Sequence, residues 1–124
     1  MDEKEMQQTV AEFERGRAQL MNVSAQKQQL QLQSAAINAS LEELGKTKEK
    51  KVYKAAGSIL VLKDIADAKK ELADQKESTE LRLKTVQKQE DALLDKLNKL
   101  RSKIEGARKP EANAEGKKEE KGKK

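Results

Sequence analysis

From Met6 onward the chain places apolar residues at alternating spacings of three and four. With position a of a heptad at Met6, Phe13, Leu20, Lys27, Ser34 and Leu41, position d falls at Thr9, Gly16, Val23, Leu30, Ile37 and Leu44. Eight of these twelve residues are apolar, and most residues between them are Gln, Glu, Lys, Ala or Asn. A 3-4 spacing held over six heptads predicts a coiled-coil helix, because only one narrow stripe of each turn needs to leave water. Asp2 and Glu5 stand where a capping box would open that helix. The pattern loosens at Gly45 and the charged run 46–51, so the first helix is expected over about 3–48.

The second half repeats the device. Position d falls at Ile65, Leu72, Thr79, Val86, Leu93 and Leu100, and position a at Lys69, Lys76, Leu83, Glu90, Leu97 and Ile104. Asp64 is a good N-cap for this helix and Asp67 suits its first turn. Gly106 reads as the residue just past its end, with Pro110 behind it, so the second helix is expected over about 65–105. Two helices of similar length, each roughly 60 Å at ~1.5 Å per residue, flank a short reversal. Folding them together as an antiparallel coiled coil buries both stripes at once. The register that matches the odd residues pairs Leu41 with Leu72, Leu30 with Leu83, Leu20 with Leu93 and Phe13 with Leu100, and sets Ser34 opposite Thr79.

Between the helices the period changes. Lys51-Val-Tyr-Lys-Ala-Ala-Gly-Ser-Ile-Leu-Val-Leu-Lys63 holds the single Tyr and the longest apolar run. Val, Tyr and Ile suit a pleated strand and Gly57 suits a tight turn. Two strands, Lys51–Lys54 and Ser58–Lys63, joined at Ala55-Ala56-Gly57, make a β-hairpin over about 51–63. The competing reading carries the helix straight through Ile59–Leu62. A two-stranded hairpin is marginal by itself, and its free edges invite further strands. With no globular core beside it, the hairpin is expected to be an assembly element through Val52, Tyr53, Lys54, Gly57, Ile59, Leu60, Val61 and Leu62. The fold class is thus mostly α: a long antiparallel coiled-coil helical hairpin with a central β-hairpin. One domain covers 1–106, and a disordered Lys/Glu-rich tail covers 107–124.

Composition narrows the function. Of 124 residues, 40% are charged and 2% aromatic, too little apolar volume for an ordinary globular core. Absence of Cys and His removes disulfides, thiol nucleophiles, imidazole bases and nearly all zinc chemistry. The paired carboxylates Glu42-Glu43, Glu90-Asp91 and Glu119-Glu120 are adjacent in sequence, so on a helix they point apart, and no cleft desolvates them. No catalytic, cofactor or metal site is expected, and the chain is read as a non-enzyme. No apolar run approaches a membrane span and Met1–Val10 lacks a signal peptide's apolar block, which places the chain in the cytoplasm. The net charge of +5 is concentrated in the tail, where interspersed Glu residues favour a solubilising role over nucleic-acid binding.

Helix, then Val52-Tyr-Lys-Ala-Ala-Gly-Ser-Ile-Leu-Val-Leu62, then helix, resembles the beta-type subunit of prefoldin. The family's hairpin motif is matched by Val52, Tyr53, Lys54, Gly57, Ile59, Leu60 and Val61, and Arg82–Glu90 is similar to the family's second helix. Ala56 departs from the pattern, where many relatives carry a larger residue such as Val. A single hairpin resembles the beta type, since alpha-type subunits carry two. The resemblance implies a heterohexamer of two alpha-type and four beta-type subunits, a β-barrel platform built from the hairpins, and coiled-coil tentacles hanging from it. It implies a holdase that grips unfolded client proteins at the coil tips and passes them to a group II chaperonin without using ATP. Met6, Val10, Phe13 and Ile104 are the expected client-binding residues at those tips, against the plainer reading that they are seam residues. The alternative function is a structural coiled-coil adaptor that holds no client.

Overall fold

The computed structural model describes residues 1–108. Four elements follow in order: α1 (Glu3–Lys46), β1 (Lys51–Ala56), β2 (Ile59–Asp64) and α2 (Ile65–Arg108). The expected tail and Pro110 lie outside the described residues, apart from Ala107 and Arg108, which are helical and close α2. The chain forms two compact units. Among the described residues one joins 1–24 with 88–108, and the other comprises 25–87.

α1 opens with the expected reciprocal cap. The Glu5 amide donates to Asp2 Oδ1 at 2.8 Å, and the Asp2 amide donates to Glu5 Oε1 at 3.0 Å. Two amide groups that the helix cannot pair internally are thereby satisfied. Within the first unit the 3–24 stretch of α1 and the 88–108 stretch of α2 are in contact. Gly16 is buried, and a Cβ placed there would come within 2.8 Å of Leu97 Cδ2. Those two residues are partners in the register that pairs Leu20 with Leu93. One layer along, Ser24 Oγ donates to Glu90 Oε2 at 2.8 Å, which answers a carboxylate sitting on the seam. Thr9, also on the seam and buried, donates its hydroxyl to the Glu5 carbonyl at 2.8 Å.

In the second unit Ala68, Thr79 and Val86 are buried and Leu30, Ser34, Ile37, Leu41, Leu44, Leu72 and Leu83 are half-buried. Every a and d position of both helices is covered at least in part except Lys69, whose expected place is taken by its neighbour Ala68. An ammonium gains nothing from a dry seam, and an α-helix drifts ~20° per heptad against a strict seven-residue repeat, so the adjacent alanine can turn inward.

Several boundaries differ from expectation. α1 ends at Lys46 and carries Gly45 inside its last turn. α2 runs through Gly106 to Arg108, because the one positive-φ glycine among the described residues is Gly57, and Gly106 therefore makes no left-handed stop. A helical glycine costs about 1 kcal/mol against alanine, not enough to end a helix whose neighbours are good helix formers. β1 also reaches two residues further than the residue pattern suggested, to Ala56, while β2 is shifted by one residue, with Ser58 in the turn and Asp64 in the strand. Pairing extends from Lys51 opposite Asp64 to Ala56 opposite Ile59, leaving Gly57-Ser58 as a two-residue turn. Gly57 has φ +64° while Ser58 stays in the ordinary negative range, the combination of a type II′ turn, whose twist matches that of the strands.

Candidate assembly site

The hairpin joins α2 without a loop. Asp64 ends β2 directly before Ile65, and the Ile65 amide donates to the Lys50 carbonyl at 2.9 Å, closing the base of the strand pair. Beside it Lys51 Nζ reaches Asp64 Oδ1 at 2.9 Å. Alternation along each strand then sorts the side chains into two faces. With the observed register, Tyr53, Ala55, Leu60 and Leu62 share one face, and Val52, Lys54, Ala56, Ile59, Val61 and Lys63 share the other.

Neither face is fully covered. Tyr53 is 69% exposed, Leu60 67% and Ile59 62%, and Val61 and Leu62 are exposed as well. Val52 is half-buried. The sheet has two strands only, so each strand presents one unpaired edge. Apolar side chains on both faces and open edges on both sides are the features that monomeric proteins avoid and that inter-chain strand pairing uses. All eight residues expected to serve assembly are thus brought together here, with Gly57 setting the turn and Lys54 engaged in an ion pair.

That ion pair involves two residues that the sequence reading passed over. Lys54 Nζ donates to Glu71 Oε1 at 2.8 Å and Lys63 Nζ donates to Glu71 Oε2 at 3.2 Å. One carboxylate on the second turn of α2 therefore holds a lysine from each strand. The Lys54 ammonium first, and then that of Lys63, keep the Glu71 carboxyl below its ordinary value, against a smaller opposing effect of desolvation. Nothing in the residue spacing announces this triad, since charged residues are common throughout the chain and the contact exists only once the hairpin folds back toward α2. The same elbow carries an open groove of about 460 Å³ between Leu44, Val52, Tyr53, Ala68, Glu71 and Leu72. Its walls are mostly carbon, and its Glu71 is already committed to lysines.

The expected tip residues all fall in the first unit. Met6, Val10 and Phe13 are half-buried, and Ile104 is only 8% exposed. Val10, which occupies neither an a nor a d position, is half-buried as well. Met21, Leu32, Leu81 and Leu94 stand exposed outside the heptad positions. Single exposed apolar residues of this kind are ordinary on protein surfaces. Among the described residues no three acidic groups gather to hold a metal ion, and no helix is long and apolar enough to cross a membrane.

Comparison with known proteins agrees with this architecture. The family model described as prefoldin subunit matches residues 7–109. The prefoldin subunit beta of Archaeoglobus fulgidus is 36% identical over 109 residues, covering 87% of this chain and 94% of its own length. That of Thermococcus onnurineus is 37% identical with the same coverage. The crystal structure of the prefoldin beta subunit from Thermococcus strain KS-1 superposes with a TM-score of 0.77 at 31% identity, over 83% of this chain and 91% of that one. A helix–hairpin–helix chain with an unsatisfied central strand pair, matched over most of its length by these sequences and this structure, belongs to the prefoldin family, among its beta-type subunits.

Proposed function

We propose that this chain is the beta-type component of a cytoplasmic heterohexamer of two alpha-type and four beta-type subunits, which holds non-native polypeptides and passes them to a group II chaperonin without consuming ATP. Membership in the family makes it a chaperone component and not an enzyme. The observation that carries the quaternary reading is the hairpin, whose Tyr53, Ile59 and Leu60 lie in water on both faces of an open-edged sheet. Strands of neighbouring subunits would complete the hydrogen bonds and cover those side chains in a β-barrel platform. The paired helices then serve as arms. Met6, Val10, Phe13 and Ile104 are the gripping residues, and several weak apolar contacts on separate arms add through effective concentration.

One observation favours the alternative of a structural adaptor. Ile104 is buried and Met6 and Phe13 half-buried, so a client can reach them only where the two helices part. Helix ends have neighbours on one side alone and open at low free energy, which supplies that opening. Deleting residues 1–10 tests the point. The truncated chain, mixed with an alpha-type subunit, should assemble as the full chain does but suppress aggregation of a denatured protein less well. Equal suppression by both complexes would remove the gripping role from this end, and absence of suppression by either would leave the adaptor.

A further inference from the structure

We propose that Glu71 is a positioning residue for assembly: by holding Lys54 of β1 and Lys63 of β2 on its two carboxylate oxygens, it fastens the hairpin to α2 at a fixed pitch. This rests on the platform reading above and adds the residue that aims the strand pair.

The hairpin has little else to hold it. Its apolar residues lie mostly in water, and a Cβ placed at its tip, Gly57, would meet nothing within 4 Å. At the base the chain passes from β2 to α2 between consecutive residues, Asp64 and Ile65, which leaves two backbone dihedrals free to swing the strands about the helix. The Ile65–Lys50 hydrogen bond and the Lys51–Asp64 pair lie at that pivot and resist rotation weakly, since they have no lever arm. The Glu71 contacts differ in position. Lys54 lies three residues along β1 from Lys51, and Lys63 is the diagonal neighbour of Lys54 on the same sheet face. Glu71 lies six residues into α2 from Ile65, nearly two turns from the pivot. Two charge-assisted bonds meet at that point of α2, one from Lys54 well along β1 and one from Lys63 beside the pivot, and together they close a triangle of strand pair, pivot and helix. The two oxygens are filled by different strands, so neither strand can twist away without releasing one of them.

The arrangement also explains a local division of labour. Lys54 and Lys63 share the sheet face that carries Val52, Ile59 and Val61. Drawing their ammonium groups to Glu71 turns the lower part of that face, where Val52 is half-buried, toward α2 and leaves Leu60 and Leu62 exposed on the opposite face. Subunits that must close a ring need that presentation to be the same in every copy, because a small error in pitch accumulates round the ring.

Amide hydrogen exchange of the full chain by itself, with and without Glu71→Gln, reads the clamp directly. Hairpin amides between 52 and 63 are expected to exchange about two- to fivefold faster in the variant, as suits two partly exposed ion pairs. Amides of α2 beyond residue 80 should not change, and the difference should shrink in 1 M salt, where screening acts within about 3 Å. Reversing all three charges, Glu71→Lys with Lys54→Glu and Lys63→Glu, should restore slow exchange. Unchanged exchange in Glu71→Gln, or a difference indifferent to salt, overturns the clamp. Native mass spectrometry with an alpha-type subunit then reads its use. Glu71→Gln should give less hexamer than wild type at equal concentration. A full hexamer yield from Glu71→Gln overturns the positioning role. If wild-type chain gives no hexamer while exchange behaves as expected, the platform reading fails and the clamp stands.

Discussion

At Gly57 the backbone sits at φ +64°, where any side chain crowds the following carbonyl at a cost of about 1–2 kcal/mol. Gly16 is constrained differently. Its backbone is helical, but a Cβ would meet Leu97 Cδ2 at 2.8 Å inside a buried layer. A Cβ at Gly45 would meet nothing within 4 Å, and the residue sits in a helix that alanine would favour. The last two give opposite expectations in one thermal melt followed by circular dichroism. Gly45→Ala should raise the midpoint, in line with a gain of about 0.5–1 kcal/mol. Gly16→Leu should lower it, since forcing a large side chain into a packed layer costs about 1–3 kcal/mol. If Gly16→Leu melts no lower than wild type, the Gly16–Leu97 layer is not packed as described. Residue spacing marked Gly16 as a seam position without saying why it is a glycine, because the reason is the bulk of Leu97 on the other helix.

At the scale of elements, the helices were legible and their ends were not. A stripe repeated over six heptads leaves little freedom, and all but one of its positions are covered in the fold. The exception, Lys69 with Ala68 in its place, arises where charge and helical drift both oppose the strict repeat. Ends are set by weaker forces. Gly106 looked like a stop, yet its neighbours carry the helix to Arg108. The strand pair was legible from Val52, Tyr53 and Ile59, but its full length followed from the type II′ turn at Gly57-Ser58, which lets Ala56 and Ile59 pair. Least legible was the junction of hairpin and helix, since Glu71, Lys54 and Lys63 meet only in three dimensions. Its pH response has a definite sign. The folded carboxyl of Glu71 titrates below the ordinary value of 4.5, first through Lys54 and then through Lys63. Its stabilising contribution is therefore complete above that ordinary value and fades as the pH falls through the lowered folded value. Carbon-13 NMR of the Glu71 carboxyl should show a depressed midpoint that rises in Lys54→Met. An unshifted midpoint in that variant would mean the 2.8 Å contact is not maintained in solution.

For the whole molecule, the family and the shape of its parts could be read from periodicity plus one short strand motif, while function rests on what the isolated chain leaves unfinished. Two helices supply a seam only one layer deep, and no described side chain is completely enclosed. The apolar surface that remains in water is densest at the hairpin, on both faces of a sheet with open edges. The expected gripping residues could be named from their place at the ends of the heptads, but their burial could not, because it depends on how tightly the last layers close around Ile104. The account therefore makes the hairpin the origin of quaternary structure and the helices its arms. Native mass spectrometry of the chain mixed with an alpha-type subunit, compared with the Ile59→Asp variant, tests this most directly. Wild type should appear as a hexamer, and Ile59→Asp should lose it while keeping its helical circular dichroism. A hexamer formed equally well by Ile59→Asp would contradict the account.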